Sequence, residues 1–137
     1  MKKDIIFHPV VGIQVAIVRK FNTLQEAEWE VILINQKAEA ISNVFVTSKG
    51  YGTSSSGDVI DQKTSTLRHS FPEIAPGQFV VVEPILEALF HLYNEYWVSF
   101  FVGNKLFDKK FIFVPDSIVV ENIIKIESLG LEGVLHD

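Results

Sequence analysis

The sequence predicts an all-β domain built as a sandwich of antiparallel strands, and three observations lead there. Short runs rich in Val, Ile, Phe, Tyr and Thr recur along the chain, separated by clusters of Gly, Pro, Asn, Asp and Ser, the spacing that sandwiches and barrels produce. Eleven Phe, three Tyr and two Trp carry much of the apolar area, and such side chains favour a pleated surface. Within the runs, apolar and polar residues alternate with the period of two that sends successive side chains to opposite faces. A length of 137 residues fits a single core, and 47% hydrophobic residues supply enough apolar surface to offset chain entropy.

The first run, 12–21, sets Val15, Ile17, Arg19 and Phe21 against Gln14, Ala16, Val18 and Lys20, so either face can be the inward one. Run 28–35 is apolar on both faces in its second half, as a central strand is. A turn over 36–40 leads into 43–49, where Val44, Val46 and Ser48 alternate with Phe45, Thr47 and Lys49. Residues 50–57 have the most flexible composition in the chain and read as an exposed, mobile loop. The fourth run, 59–71, is polar and Thr-rich, which suits an edge strand that Pro72 ends. Ala75-Pro76-Gly77 turns the chain into 79–83, closed by Pro84, which has no N–H for a ladder. A short helical turn is expected across 85–91. Runs 95–102 and 106–114 flank Gly103-Asn104, a two-residue connection whose residues tolerate positive φ, and form a hairpin. The tail 116–137 is apolar at Ile118, Val119, Ile123, Ile124 and Ile126, while Gly130 and Gly133 argue against one long helix. It is expected as a strand or a C-terminal arm packed on a core spanning about 12–115 of a single domain.

About seven strands with one long polar excursion at the fourth match the immunoglobulin and fibronectin type III plan. Tyr96, preceded by Leu89 and Leu92, stands roughly where such domains place a tyrosine corner, its alternative being an ordinary half-buried aromatic.

Composition excludes several classes of function. The formal charge is −5 and the Lys and Arg residues are scattered, so no basic stripe meets a phosphate backbone and nucleic-acid binding is not expected. Without Cys there is neither a disulfide framework nor a Cys-based zinc site. Asp4, His8, Pro9 and Gln14 interrupt the apolar N-terminal stretch, which therefore reads as a strand and not a secretory signal. No run approaches the roughly 20 apolar residues that span a bilayer, and a cytoplasmic location without membrane contact is expected.

Chemistry-bearing motifs are sparse. Lys49-Gly50-Tyr51-Gly52 matches neither phosphate-loop template, because Ser55 stands where a third glycine is needed and no helical pattern follows. His8, His69, His91 and His136 lie far apart, none at a recognised metal spacing. No nucleophile elbow surrounds the Ser residues of 53–56, and Asp58, Asp61, Glu73, Glu83, Glu87 and Glu95 read as solvated acids in or beside turns. No catalytic, metal or cofactor residue is assigned, and no cofactor is expected. What stands out is the final hairpin, apolar on both faces: Trp97, Phe101 and Phe107 are expected opposite Tyr96, Phe100 and Val102. One face belongs to the core, and the other needs cover from 85–91, from the tail or from another chain. The leading expectation is a non-catalytic protein-interaction or self-association domain, a possible homo-oligomer, using Trp97, Phe101 and Phe107. The alternative is a small-ligand or carbohydrate-binding module, with Tyr51, Tyr93 or Trp29 as an aromatic platform and Tyr51, Arg68 and His69 as a ligand loop. An enzyme stands third, and its structural sign is a cleft holding Arg68, His69 and an acid within hydrogen-bond reach.

Four stretches carry a resemblance: Asn43-Val-Phe-Val-Thr-Ser-Lys-Gly-Tyr-Gly52, Thr64-Ser-Thr-Leu-Arg-His69, Asn94-Glu-Tyr-Trp-Val-Ser-Phe100 and Asp108-Lys-Lys-Phe-Ile-Phe-Val-Pro-Asp-Ser117. Together they resemble a family of small bacterial single-domain proteins of the Bacteroidetes type, which brings no assigned activity. Some members carry a phenylalanyl-tRNA synthetase label. It does not transfer, because Arg19 and Arg68 are the only arginines and neither lies in a class II synthetase motif.

Overall fold

The computed structural model describes residues 9–53 and 61–137. Ten strands alternate with short turns among these residues: β1 (Ile13–Phe21), β2 (Ala27–Asn35), β3 (Ile41–Thr53), β4 (Asp61–Lys63), β5 (Leu67–Ile74), β6 (Phe79–Ile85), β7 (Tyr93–Val102), β8 (Lys105–Phe113), β9 (Ile124–Ile126) and β10 (Leu131–His136). They form two antiparallel sheets. The first runs β6-β2-β1-β10-β9, and the second runs β4-β3-β7-β8 with β5 also on β3.

The main core lies between the sheets, where Ile13, Val15, Ile17, Val31 and Leu33 of the first meet Val44, Val46, Val98, Phe100 and Phe111 of the second. Alternation decides this: on β1 it is the Val15 and Ile17 side that turns inward. The opposite face of the first sheet is packed as well, since Ala16, Val18, Ile32, Ile34 and Ile126 form a second buried cluster with Phe79, Leu129, Leu131 and Leu135.

Local chemistry explains the connections. The Asn22 carboxamide oxygen accepts from the backbone N–H of Leu24 and Glu26, which shapes the β1–β2 turn. Asn35 is fully buried and donates to the carbonyls of Glu39 and Ile74 while accepting from Lys37 N–H, so one side chain ties β2 to the turn after it and to the end of β5. The β7–β8 hairpin turns at Gly103-Asn104, with Val102 opposite Lys105 and Gly103 at φ 60°. A 3₁₀ turn at Glu87–Leu89 falls where a helical turn was expected.

Several expectations are corrected. β3 continues through Tyr51 to Thr53, so 50–53 is strand and not loop, and the rest of the expected flexible segment, 54–57, lies outside the described residues. The fourth run is two strands, β4 and β5. Pro72 lies inside β5, which ends at Ile74, and Pro84 inside β6, which ends at Ile85; both are edge strands, the strands in which a residue without an N–H is tolerated. The tail is not an arm, because β10 pairs with β1 from Val15↔His136 to Arg19↔Glu132 and β9 pairs with β10. With the fourth run divided and β9 and β10 added, the count rises from about seven to ten. Tyr96 is buried, but it is Asn94 that holds the preceding backbone, donating to the carbonyls of Leu89 and Leu92 in the place of a tyrosine corner.

Candidate functional site

Two places in the fold concentrate chemistry. The first is the outer face of the second sheet. Strand alternation sends Asn94, Tyr96, Val98 and Phe100 inward and leaves Trp97, Ser99 and Phe101 outward, with Thr47 beside Trp97 on β3 and Lys110 beside it on β8. Phe45 is 55% exposed, Trp97 45% and Leu106 57%, so no described element covers them. With Thr47, Ser99 and Asp108 they surround a shallow hollow of about 350 Å³. The Lys110 ammonium lies 4.7 Å from the centre of the Trp97 ring. Further along the same face, Tyr51 and Tyr93 stack at 5.5 Å, and Glu95 is buried beneath them. Glu95 accepts from the Tyr51 hydroxyl at 3.2 Å and faces Lys49 at 3.6 Å. Burial first, and then the Glu95 charge, raise the Tyr51 phenol above its ordinary value.

The second place is the inter-sheet opening between the edge strands β5 and β6. A β-bulge sets it up. Val31 of β2 faces Glu83 of β6 while Ile32 faces Val81, so Val82 is the extra residue on β6. The bulge turns both Val82 and Glu83 toward the interior, where regular alternation would have sent the carboxylate to solvent. There Glu83 Oε1 accepts the Ser48 hydroxyl at 2.6 Å and meets His69 Nε2 at 2.7 Å. Ser48 and Glu83 border a cleft of about 380 Å³, with Asn94 and Tyr96 also in its polar lining and Leu67, Ile85, Leu86 and Leu89 among its apolar walls. Burial, and secondarily the Glu83 charge, push the Tyr96 phenol far above its ordinary value, so it is a neutral hydroxyl at any physiological pH.

The order of groups limits the chemistry. In a serine-hydrolase triad the imidazole stands between hydroxyl and acid and moves the proton. Here the carboxylate stands between hydroxyl and imidazole, both bound to one of its oxygens, so His69 has no contact through which to take a proton from Ser48. The arrangement suits holding a donor.

The expected surface residues divide. Trp97 and Phe101 are on the outer face, but Phe107 points inward and stacks on Phe100 at 5.4 Å, because the two-residue turn sets Phe107 directly opposite Phe100. The expected ligand loop is not brought together either. Arg68 faces outward opposite Thr47, His69 faces inward opposite Val46, and Tyr51 sits further along β3 opposite Tyr93. Trp29 is buried, its indole N–H bonded to Glu87 at 2.8 Å and Phe90 against it edge-on, so it offers no platform. Tyr51 is held between Tyr93 and Lys49.

Ser48 and Glu83 are the residues that sequence reasoning passed over. Ser48 carried a usable signal, a hydroxyl on the apolar side of an alternating strand. Glu83 carried none, because a bulge leaves no mark in residue type. Among the described residues no group of three His, Asp or Glu is placed to hold a metal ion, and no helix is long and apolar enough to cross a membrane. No family model matches the chain, and no curated protein or solved structure matches it.

Proposed function

We propose that this chain is a non-catalytic interaction domain on an immunoglobulin-like plan, and that it associates weakly with a second copy of itself through the outer face of the second sheet. The strand order supports the plan: β1-β2-β6 corresponds to the A-B-E strands and β3-β7-β8 to C-F-G, with β5 moved beside C and the β9–β10 hairpin appended to the first sheet.

The observation that carries the functional reading is the uncovered cluster of Phe45, Trp97 and Leu106, with Phe101 beside it, on a rigid sheet face. The C-terminal strands do not cover it, because β10 pairs with β1 of the other sheet. The charges on this face favour a second copy. Asp108 and Lys110 are exposed and stand two positions apart on β8. A two-fold axis running across the strands between them sets each Asp108 against Lys110 of the other copy and each Trp97 against Ser99. Contacts of this kind are isologous, the usual form of a homodimer. Four strands at about 4.8 Å and five residues at about 3.4 Å give a face of roughly 19 by 17 Å, at the small end of protein interfaces, so the association is of the transient class.

Sedimentation equilibrium from micromolar to millimolar concentration tests this. The expected result is a reversible rise in average mass toward the dimer, lost in Trp97→Ser. A chain that stays monomeric at millimolar concentration refutes self-association.

A further inference from the structure

We propose that the cleft between β5 and β6 binds a small organic amine, an apolar body carrying one protonated amino group that Glu83 Oε2 receives. The cleft is separate from the outer face of the second sheet, and the inference does not rest on self-association.

The first ground is the carboxylate itself. The side chain of Glu83 is only 13% exposed, and withdrawing a carboxylate from water costs several kcal/mol unless partners compensate. Its partners are uncharged or conditionally charged: the Ser48 hydroxyl, and an imidazole that is a cation only when protonated. Both bind Oε1, and among the described residues Oε2 accepts no hydrogen bond. Lys49, which lines the cleft, has its ammonium 3.6 Å from Glu95 Oε2 instead. One oxygen of a largely buried carboxylate is thus left facing solvent, open to a cationic donor.

The second ground is the shape and lining of the space. About 380 Å³ lies within the range of small-molecule sites and admits a ligand of modest size. Its rim exposes Leu86 at 72% and Leu67 at 47%, apolar surface that a hydrocarbon body would cover. Tyr96 closes the inner end of the cleft, its neutral phenol near enough to feel the Glu83 charge. A charged head with an aliphatic or aromatic body matches all of these features. An anion would face Glu83, and a plain hydrocarbon would leave Oε2 desolvated and unpaired.

A heteronuclear NMR titration of the full chain with 2-phenylethylamine, and in parallel with 2-phenylethanol, decides the matter. The amine is expected to move the amide signals of Ser48, Glu83 and Leu86 in the millimolar range, and the alcohol of nearly the same shape to bind at least tenfold more weakly. Glu83→Gln, which keeps the shape and can still accept from Ser48, is expected to remove the preference. Ser48→Ala, which keeps the carboxylate, is expected to retain it, as is Trp97→Ser. Equal titration by amine and alcohol, no movement of cleft signals with the amine, or an amine preference that survives Glu83→Gln overturns the proposal.

Discussion

Replacing Gly133 by Ala should detach the C-terminal strand. Gly133 faces Val18 across the β1–β10 ladder, and a methyl group there would press on the carbonyl oxygen of Ile17 and lie 2.7 Å from the Cα of Val18. These are backbone atoms of a central strand and cannot swing aside as a side-chain tip can. Relief requires β10 to move away from β1, which uncovers Val134 and loosens Leu135 from the second cluster. Overpacking of this kind costs about 1–3 kcal/mol, and each buried aliphatic side chain returned to water about 1.5–3 kcal/mol. A loss of about 3–5 kcal/mol is expected, which for a chain of this length lowers Tm by roughly 10–20 °C. Thermal unfolding followed by circular dichroism measures it, and amide exchange shows whether the loss is local to 131–136. Gly103→Ala is the control: nothing lies within 4 Å of where its methyl group would sit, and only its φ of 60° is strained, for about 1 kcal/mol. A Gly133→Ala protein that melts within about 3 °C of the wild type, with β10 amides still protected, refutes the reasoning.

Two further outcomes follow from buried polar groups. Asn35→Ala strips two carbonyls and one N–H of their partner at a fully buried position and is expected to cost about 3 kcal/mol in urea unfolding, while an exposed control such as Gln78→Ala costs under about 0.5 kcal/mol. Tyr96 has a folded pKa above its unfolded value of 10.0, so the unfolded chain releases the phenol proton first. Its contribution to stability is therefore complete below pH 10.0 and is lost as pH rises beyond it; Tyr96→Phe is expected to flatten that alkaline decline, and an unchanged slope counts against the account.

How much of this was legible depended on how local the governing chemistry is. The β7–β8 hairpin could be read because a two-residue Gly-Asn turn sets its own register. That same register placed Phe107 opposite Phe100, and reading it through to the end of the hairpin would have turned Phe107 inward. Alternation alone likewise separates Arg68 from His69. The C-terminal strands were harder, because β10 is defined by pairing with β1, more than a hundred residues earlier, and β9 is only three residues long. Pro72 and Pro84 read as strand ends because edge position is a property of the sheet and not of the residue. Glu83 and Glu95 both read as solvated acids. The first was drawn inside by a bulge and the second covered by Tyr51 and Tyr93, and neither event is written in the neighbouring residue types.

The claim that the second sheet self-associates through a two-fold face is tested most directly by exchanging its charges. Asp108→Lys and Lys110→Asp each remove the expected cross-pair and set like charges against each other, so each variant alone should sediment as a monomer where the wild type shows dimer. Mixed in equal amounts they should form a heterodimer, because each Asp of one then meets a Lys of the other. Variants that associate as the wild type does, or a mixture that associates no more than its components, would contradict the account.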